Sequence, residues 1–187
     1  KAGVDASALS GSDVWTSTKQ FETILAGARA LMKDDDEFKR ACTHRLSEAY
    51  GAMRFVMRAT SPETIYRLAV EKVHLVCTVS KDEILESKRN SMHARWRATP
   101  RPSRLACLSR QAQSEALPAI WGLPPAVIEE ESCMAFGDEY CVYRVRWYNK
   151  ASWWPVAWGA AAAVLLGGAG HHLGYASMLD VSLAGMV

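Results

Sequence analysis

Apolar residues recur every three to four positions through the first part of the chain and then switch to every second position. The segment FETILAGARALM, residues 21–32, carries the helical period. Asp34, Asp35 and Asp36 follow, and acidic groups at a helix start oppose the positive end of its dipole. Phe38, Cys42, Leu46, Ala49, Met53 and Val56 then share one face, which predicts one continuous helix to about Met57. Ser61-Pro62-Glu63 opens a third helix, with Ser61 as N-cap and Pro62 in the first helical position, running to about Cys77.

Beyond it the period becomes two. Residues 83–88 suit a strand and Asn90 a turn. Over 92–98, Met92, Ala94 and Trp96 point one way and His93, Arg95 and Arg97 the other. A helix is expected over 103–121, with Pro118 kinking or ending it. Residues 127–136 and 141–148 read as a hairpin around Gly137-Asp138, with Tyr143, Val145 and Trp147 on one face and Val142, Arg144 and Arg146 on the other. Helices, two strands, a helix and two strands predict an α+β fold with an antiparallel sheet and a helix-then-hairpin C-terminal half, not a doubly wound sheet.

Charge divides the chain. From residue 151 onward the only formally charged side chain is Asp180. Residues 153–170 are eighteen positions without a charge, opened by Trp153, Trp154 and Trp158. That length and aromatic belt predict a membrane span, with a second apolar segment starting from about 175. The competing reading is a buried C-terminal hairpin of a soluble protein. The organisation expected is a flexible lead-in over 1–20, a globular domain over 21–149 and a membrane segment over 150–187. Lys and Arg lie on the N-terminal side, so the globular part is expected to face the cytoplasm. The first 20 residues hold no apolar core of a secretory signal. The five cysteines are therefore expected in a reducing compartment, as metal ligands or buried thiols rather than disulfides. A net charge of +2 gives no signal for nucleic acid.

The sharpest local pattern is ESCMAFGDEYC. Cys133 and Cys141 flank the Gly137-Asp138 turn, so their thiols can meet across a hairpin. Glu130 stands two intervening residues before Cys133, and a bulge or strand end is needed to bring both to one point. Cys107 sits on the preceding helix. Three thiolates and a carboxylate make a tetrahedral zinc set; a pair of buried small apolar residues is the alternative.

The stretch from Ala106 to Trp147 resembles the C-terminal half of the 4-vinyl reductase-like domain, most closely the version in phenol-sensing activators and input domains of bacterial signalling proteins. The resemblance implies that Cys107, Glu130, Cys133 and Cys141 hold Zn2+. It also implies the fold shared by haem-based nitric oxide sensors and trafficking-complex subunits, and an apolar pocket between helices and sheet. Trp96, Trp121 and Tyr143 are expected to wall that pocket around a small apolar or aromatic ligand. The function expected is a non-enzymatic sensor module, homodimeric, at the bacterial inner membrane, feeding a histidine kinase or a diguanylate cyclase. A tetrapyrrole vinyl-reduction accessory protein and a ligand-free, zinc-stapled dimerisation domain are the alternatives. His44 is read as a surface residue, His171-His172 as a polar loop, and the basic run over 95–104 as a solvated surface. No arrangement of a nucleophile with its base stands out.

Overall fold

Serine and aspartate caps set where the helices begin. In the computed structural model, which describes residues 16–149, 159 and 162–165, Ser17 and Gln20 close a capping box ahead of α1 (Thr18–Arg29). Asp34 accepts from the Glu37 amide at the start of α2 (Asp35–Cys42). Ser61 caps α5 (Pro62–Glu71) with Pro62 in the first turn, as its sequence predicts. Ser103 caps α6 (Arg104–Ala116).

The single helix expected over 34–57 is three short ones: α2, α3 (Leu46–Ala49) and α4 (Met53–Arg58). Thr43 turns its hydroxyl back onto the Lys39 carbonyl, and Arg45 takes a left-handed φ of 55°. Gly51, at φ 49°, separates α3 from α4. Of the apolar face expected on that helix Phe38 is buried, but Met53 and Val56 are exposed, and α4 turns Met57 inward instead.

Four antiparallel strands follow: β1 (Ser80–Lys88), β2 (Ser91–Ala98), β3 (Val127–Ser132) and β4 (Cys141–Arg146). Their order in the sheet is β1-β2-β4-β3, so α6 carries the chain from one hairpin to the other and β4 pairs with β2. Pro118 ends α6, and residues Leu117–Trp121 continue as a 3-10 turn. The expected alternation holds. Met92, Trp96, Ala98, Tyr143, Val145 and Trp147 are buried, and they pack with Tyr66, Val70, Cys107, Leu117 and Ile120 in the main core. A second cluster of Leu25, Phe38 and Leu108 joins α1 and α2 to the far side of α6. The sheet's other face is a lattice of ion pairs, among them Arg95–Glu83, Arg144–Glu131 and Arg146–Glu129.

By contact the chain divides into Lys1–Asn149 and Lys150–Val187. In the second unit residue 159 and residues 162–165 are helical. The remainder of the expected span over 153–170, the apolar segment from 175 and most of the 1–20 lead-in lie outside the described residues. Among the described residues no helix is long and apolar enough to cross a membrane.

Candidate ligand and thiol site

Helix α6 presents two faces to two sites. Cys107 and Gln111, one turn apart, turn into the sheet. Ala106, Ser109, Arg110 and Gln113 line a cavity on the other flank.

On the sheet side three thiols converge. The sulfurs of Cys107, Cys133 and Cys141 all lie within 4.8 Å of one another, and Cys107 Sγ is 3.9 Å from Cys141 Sγ. All three residues are buried. The hairpin brings two of them together. Cys133 stands just past β3, its amide donates to Asp138 Oδ2 at 2.8 Å, and Gly137 at φ 113° makes the turn back to Cys141. The Met134 amide then donates to Cys141 Sγ at 3.2 Å. A hydrogen bond from the Cys107 thiol, helped by the Met134 amide and Tyr143, pulls the Cys141 thiol down to about 6 against the cost of burial. The same pairing with Cys141, then burial, pushes Cys107 far up, and burial raises Cys133. Within the trio the Cys141 thiol is the one that ionises most readily.

Glu130 stands beside Cys133 but outside the group of three sulfurs. The register shift needed to bring it near Cys133 is present, between Glu130 and Ser132. But Arg104, at the start of α6, places Nη1 2.7 and 2.8 Å from the two carboxylate oxygens and 3.4 Å from Cys133 Sγ. The guanidinium thus bridges the Glu130 carboxylate and the Cys133 thiol. What remains is a three-sulfur donor set, of the type soft metals prefer.

The cavity has a volume of about 760 Å³ and lies between α1, the segment from Val73 to Val79, the β1–β2 hairpin and α6. Phe21, Val73, Leu75, Val79, Trp96 and Pro100 give it apolar walls. Arg110 lies over the Trp96 ring, 4.4 Å from its centroid, and is ion-paired with Asp82, whose side chain is 1% exposed. Of the three aromatics expected at a pocket, Trp96 lines this one. Tyr143 is buried next to the thiols. Trp121 stands elsewhere, donating Nε1 to the Thr60 carbonyl at 2.9 Å. Sequence reasoning missed Arg104, Gln111 and Arg110. Gln111 alone carried a signal, because it follows Cys107 by four residues on the same helical face.

No protein-family model matches the sequence, and no curated protein matches it. Solved structures do share its fold. One is a mutant H-NOX protein from S. oneidensis in the Fe(II) ligation state, with TM-score 0.50 and 14% identity over 74% of this chain and 77% of that one. Another is a Fe(II) unliganded H-NOX protein from K. algicida, with TM-score 0.52 and 11% identity over 74% of this chain and 78% of that one. At such identity the likeness shows the fold. It corrects the expected 4-vinyl reductase-like membership, since the proteins sharing this architecture are H-NOX proteins. It also corrects the expected Zn2+. Those proteins are described with Fe(II).

Proposed function

We propose that residues 16–149 form a small-molecule sensor domain of a signalling protein, with an apolar ligand in the cavity between α1, α6 and the sheet. The observation that carries this reading is that cavity, about 760 Å³ with predominantly apolar walls, inside a fold shared with H-NOX proteins. Binding sites for small organic molecules are concave and mostly apolar, with a few polar groups, and this volume falls in their usual range. The change of composition after Lys150 supports attachment to a membrane, with the sensor on the cytoplasmic side and a kinase or cyclase as output.

The H-NOX likeness raises haem, which needs an axial side chain at an apolar site, in most proteins a histidine, cysteine, methionine or tyrosine. The residues lining the cavity include no histidine, methionine or tyrosine. Among the described residues His44 and His74 are exposed, and His93 is bonded to Glu131 at 2.9 Å on the outer face of the sheet. Cys77 is the one lining residue of the required type. It is half-buried in a segment whose neighbours Leu75 and Val76 are 63% and 77% exposed. The residues present do not fit a haem, and the proposed ligand is an organic molecule without iron.

The test is a thermal-shift screen of the full chain against small aromatic and aliphatic compounds, run beside visible spectroscopy of the purified protein with and without added haem. Saturating ligand at a hundred times its Kd is expected to add about 2.7 kcal/mol of stability, with no haem absorption band. A stoichiometric haem band would overturn the iron-free reading, and a flat screen would overturn the sensor reading.

A further inference from the structure

Four exposed apolar side chains ring the mouth of the cavity. Phe21 of α1 and Leu75, Val76 and Val79 of the segment leading into β1 all line it. They are nevertheless 41%, 63%, 77% and 38% exposed, so they form its rim rather than its floor. Single apolar residues on a surface are ordinary, but several gathered round one opening make a patch, and such patches mark contact with a partner or a membrane. The charges beside the rim distinguish the two. Residues 72–81, KVHLVCTVSK, hold no acidic residue and carry a lysine at each end. Lys72 and Lys81 are exposed. The lysine ion pairs among the described residues are Lys39–Glu115 and Lys88–Glu86, which leaves these two without a partner there. The acids adjoining the segment are Glu71, which is exposed, and Asp82, whose side chain is 1% exposed and held by Arg110. Glu22, on the cavity wall, accepts from the Ser103 amide at 3.0 Å.

We propose that this rim is a membrane-contact surface: Phe21, Leu75, Val76 and Val79 enter the headgroup region of an anionic lipid bilayer, and Lys72 and Lys81 rest on its headgroups. Apolar side chains gain by leaving water for the acyl boundary, and cations beside them gain from the negative surface potential, so the two terms act together at one place. A second copy of the chain is a poorer match for the lysines. Its sheet carboxylates Glu83, Glu129 and Glu131 are each already paired with an arginine. The contact also gives the sensor reading a source of ligand, because a cavity that opens into the bilayer meets the apolar compounds that concentrate there. The rim contact itself does not depend on that reading.

The full chain would be reconstituted into vesicles of phosphatidylcholine alone and into vesicles with roughly a quarter phosphatidylglycerol. Amide hydrogen exchange would then be followed over residues 72–81. Any attachment supplied by the residues after 150 is common to both vesicles, so the comparison isolates the rim. Exchange over 73–79 is expected to be roughly tenfold slower in the anionic vesicles. Lys72→Gln with Lys81→Gln should remove most of that difference, and Leu75→Ser with Val76→Ser should abolish the slowing. All four side chains are exposed, so both double variants should keep the fold, and unchanged exchange in β2 and β4 would verify it. Equal exchange in the two vesicles would overturn the proposal. So would slowing that appears without lipid as the protein concentration rises, which would assign the rim to a second copy. A slowed segment beside a flat ligand screen would support the contact while overturning the sensor reading.

Discussion

On the outward face of β2, β3 and β4, His93, Arg144 and Arg146 each meet a carboxylate, Glu131 for the first two and Glu129 for the third. On the inward face of β2 and β4, Trp96, Tyr143 and the nearby Trp147 bury their polar atoms in the core. The strands that supply both faces are the same, and alternation decides which residue goes where. Outside, water can replace any partner, so the ion pairs are interchangeable and individually weak. Inside, nothing can, so each polar group must be answered by a neighbour or a ligand. The outward lattice thus says little about function, and the inward seam of thiols beside α6 says more.

The largest expected effect comes from removing inward bulk. Trp147 is 2% exposed and stacks on Tyr66 with centroids 4.6 Å apart. Trp147→Ala should destabilise by about 3–5 kcal/mol, read from the urea midpoint. A loss below about 1 kcal/mol would mean the inner face is not packed as described. Next is the guanidinium that holds Glu130 beside the thiols. Arg104→Ala should cost about 1–2 kcal/mol, because it strips a charge-assisted partner from a carboxylate whose side chain is only 23% exposed. Glu130→Gln should cost less, since an amide keeps one hydrogen bond to Arg104.

The thiol trio adds a pH dependence that the outward face lacks. Cys141, pulled down to about 6, ionises more readily in the folded chain than in the unfolded one. A depressed thiol adds stability that is complete above the ordinary thiol value near 9 and is lost as pH falls through about 6. Cys107 and Cys133, both raised, oppose further gain above that range. Thiolate ultraviolet absorbance of the native protein should therefore rise by one thiolate with a midpoint near pH 6, and Cys141→Ser should abolish that step. A first ionisation at the ordinary thiol value would remove the case for a prepared thiolate. The smallest effect belongs outside. Glu131→Gln, which unties His93 and Arg144 together, should change stability by no more than about 1 kcal/mol, and by less in high salt. A larger loss would erase the contrast between the two faces.

Much of this contrast is written along the chain. The period of two placed Trp96 and Tyr143 on the inward face and His93 and Arg144 on the outward one. Ser61 with Pro62 marked a helix start, and Gly137-Asp138 marked the turn that brings Cys133 to Cys141. The spacing also placed Cys107 on the helix that meets them. The break of one expected helix into α2, α3 and α4 was not legible, because the apolar spacing runs on through Arg45 in the sequence although Met53 and Val56 end up exposed. Nor was the fate of Glu130, the separation of Trp121 from Trp96, or the entry of Gln111 beside Tyr143.

The sequence by itself determined where α1, α5, α6 and the four strands lie and which way the residues of β2 and β4 face, because both follow from caps and local period. Only the tertiary structure decided who meets whom: Arg104 takes Glu130 from 26 residues away, and Trp96 of β2 and Gln111 of α6 meet Tyr143 of β4. Partner choice depends on the distances between elements far apart in the chain, and no local pattern encodes those distances.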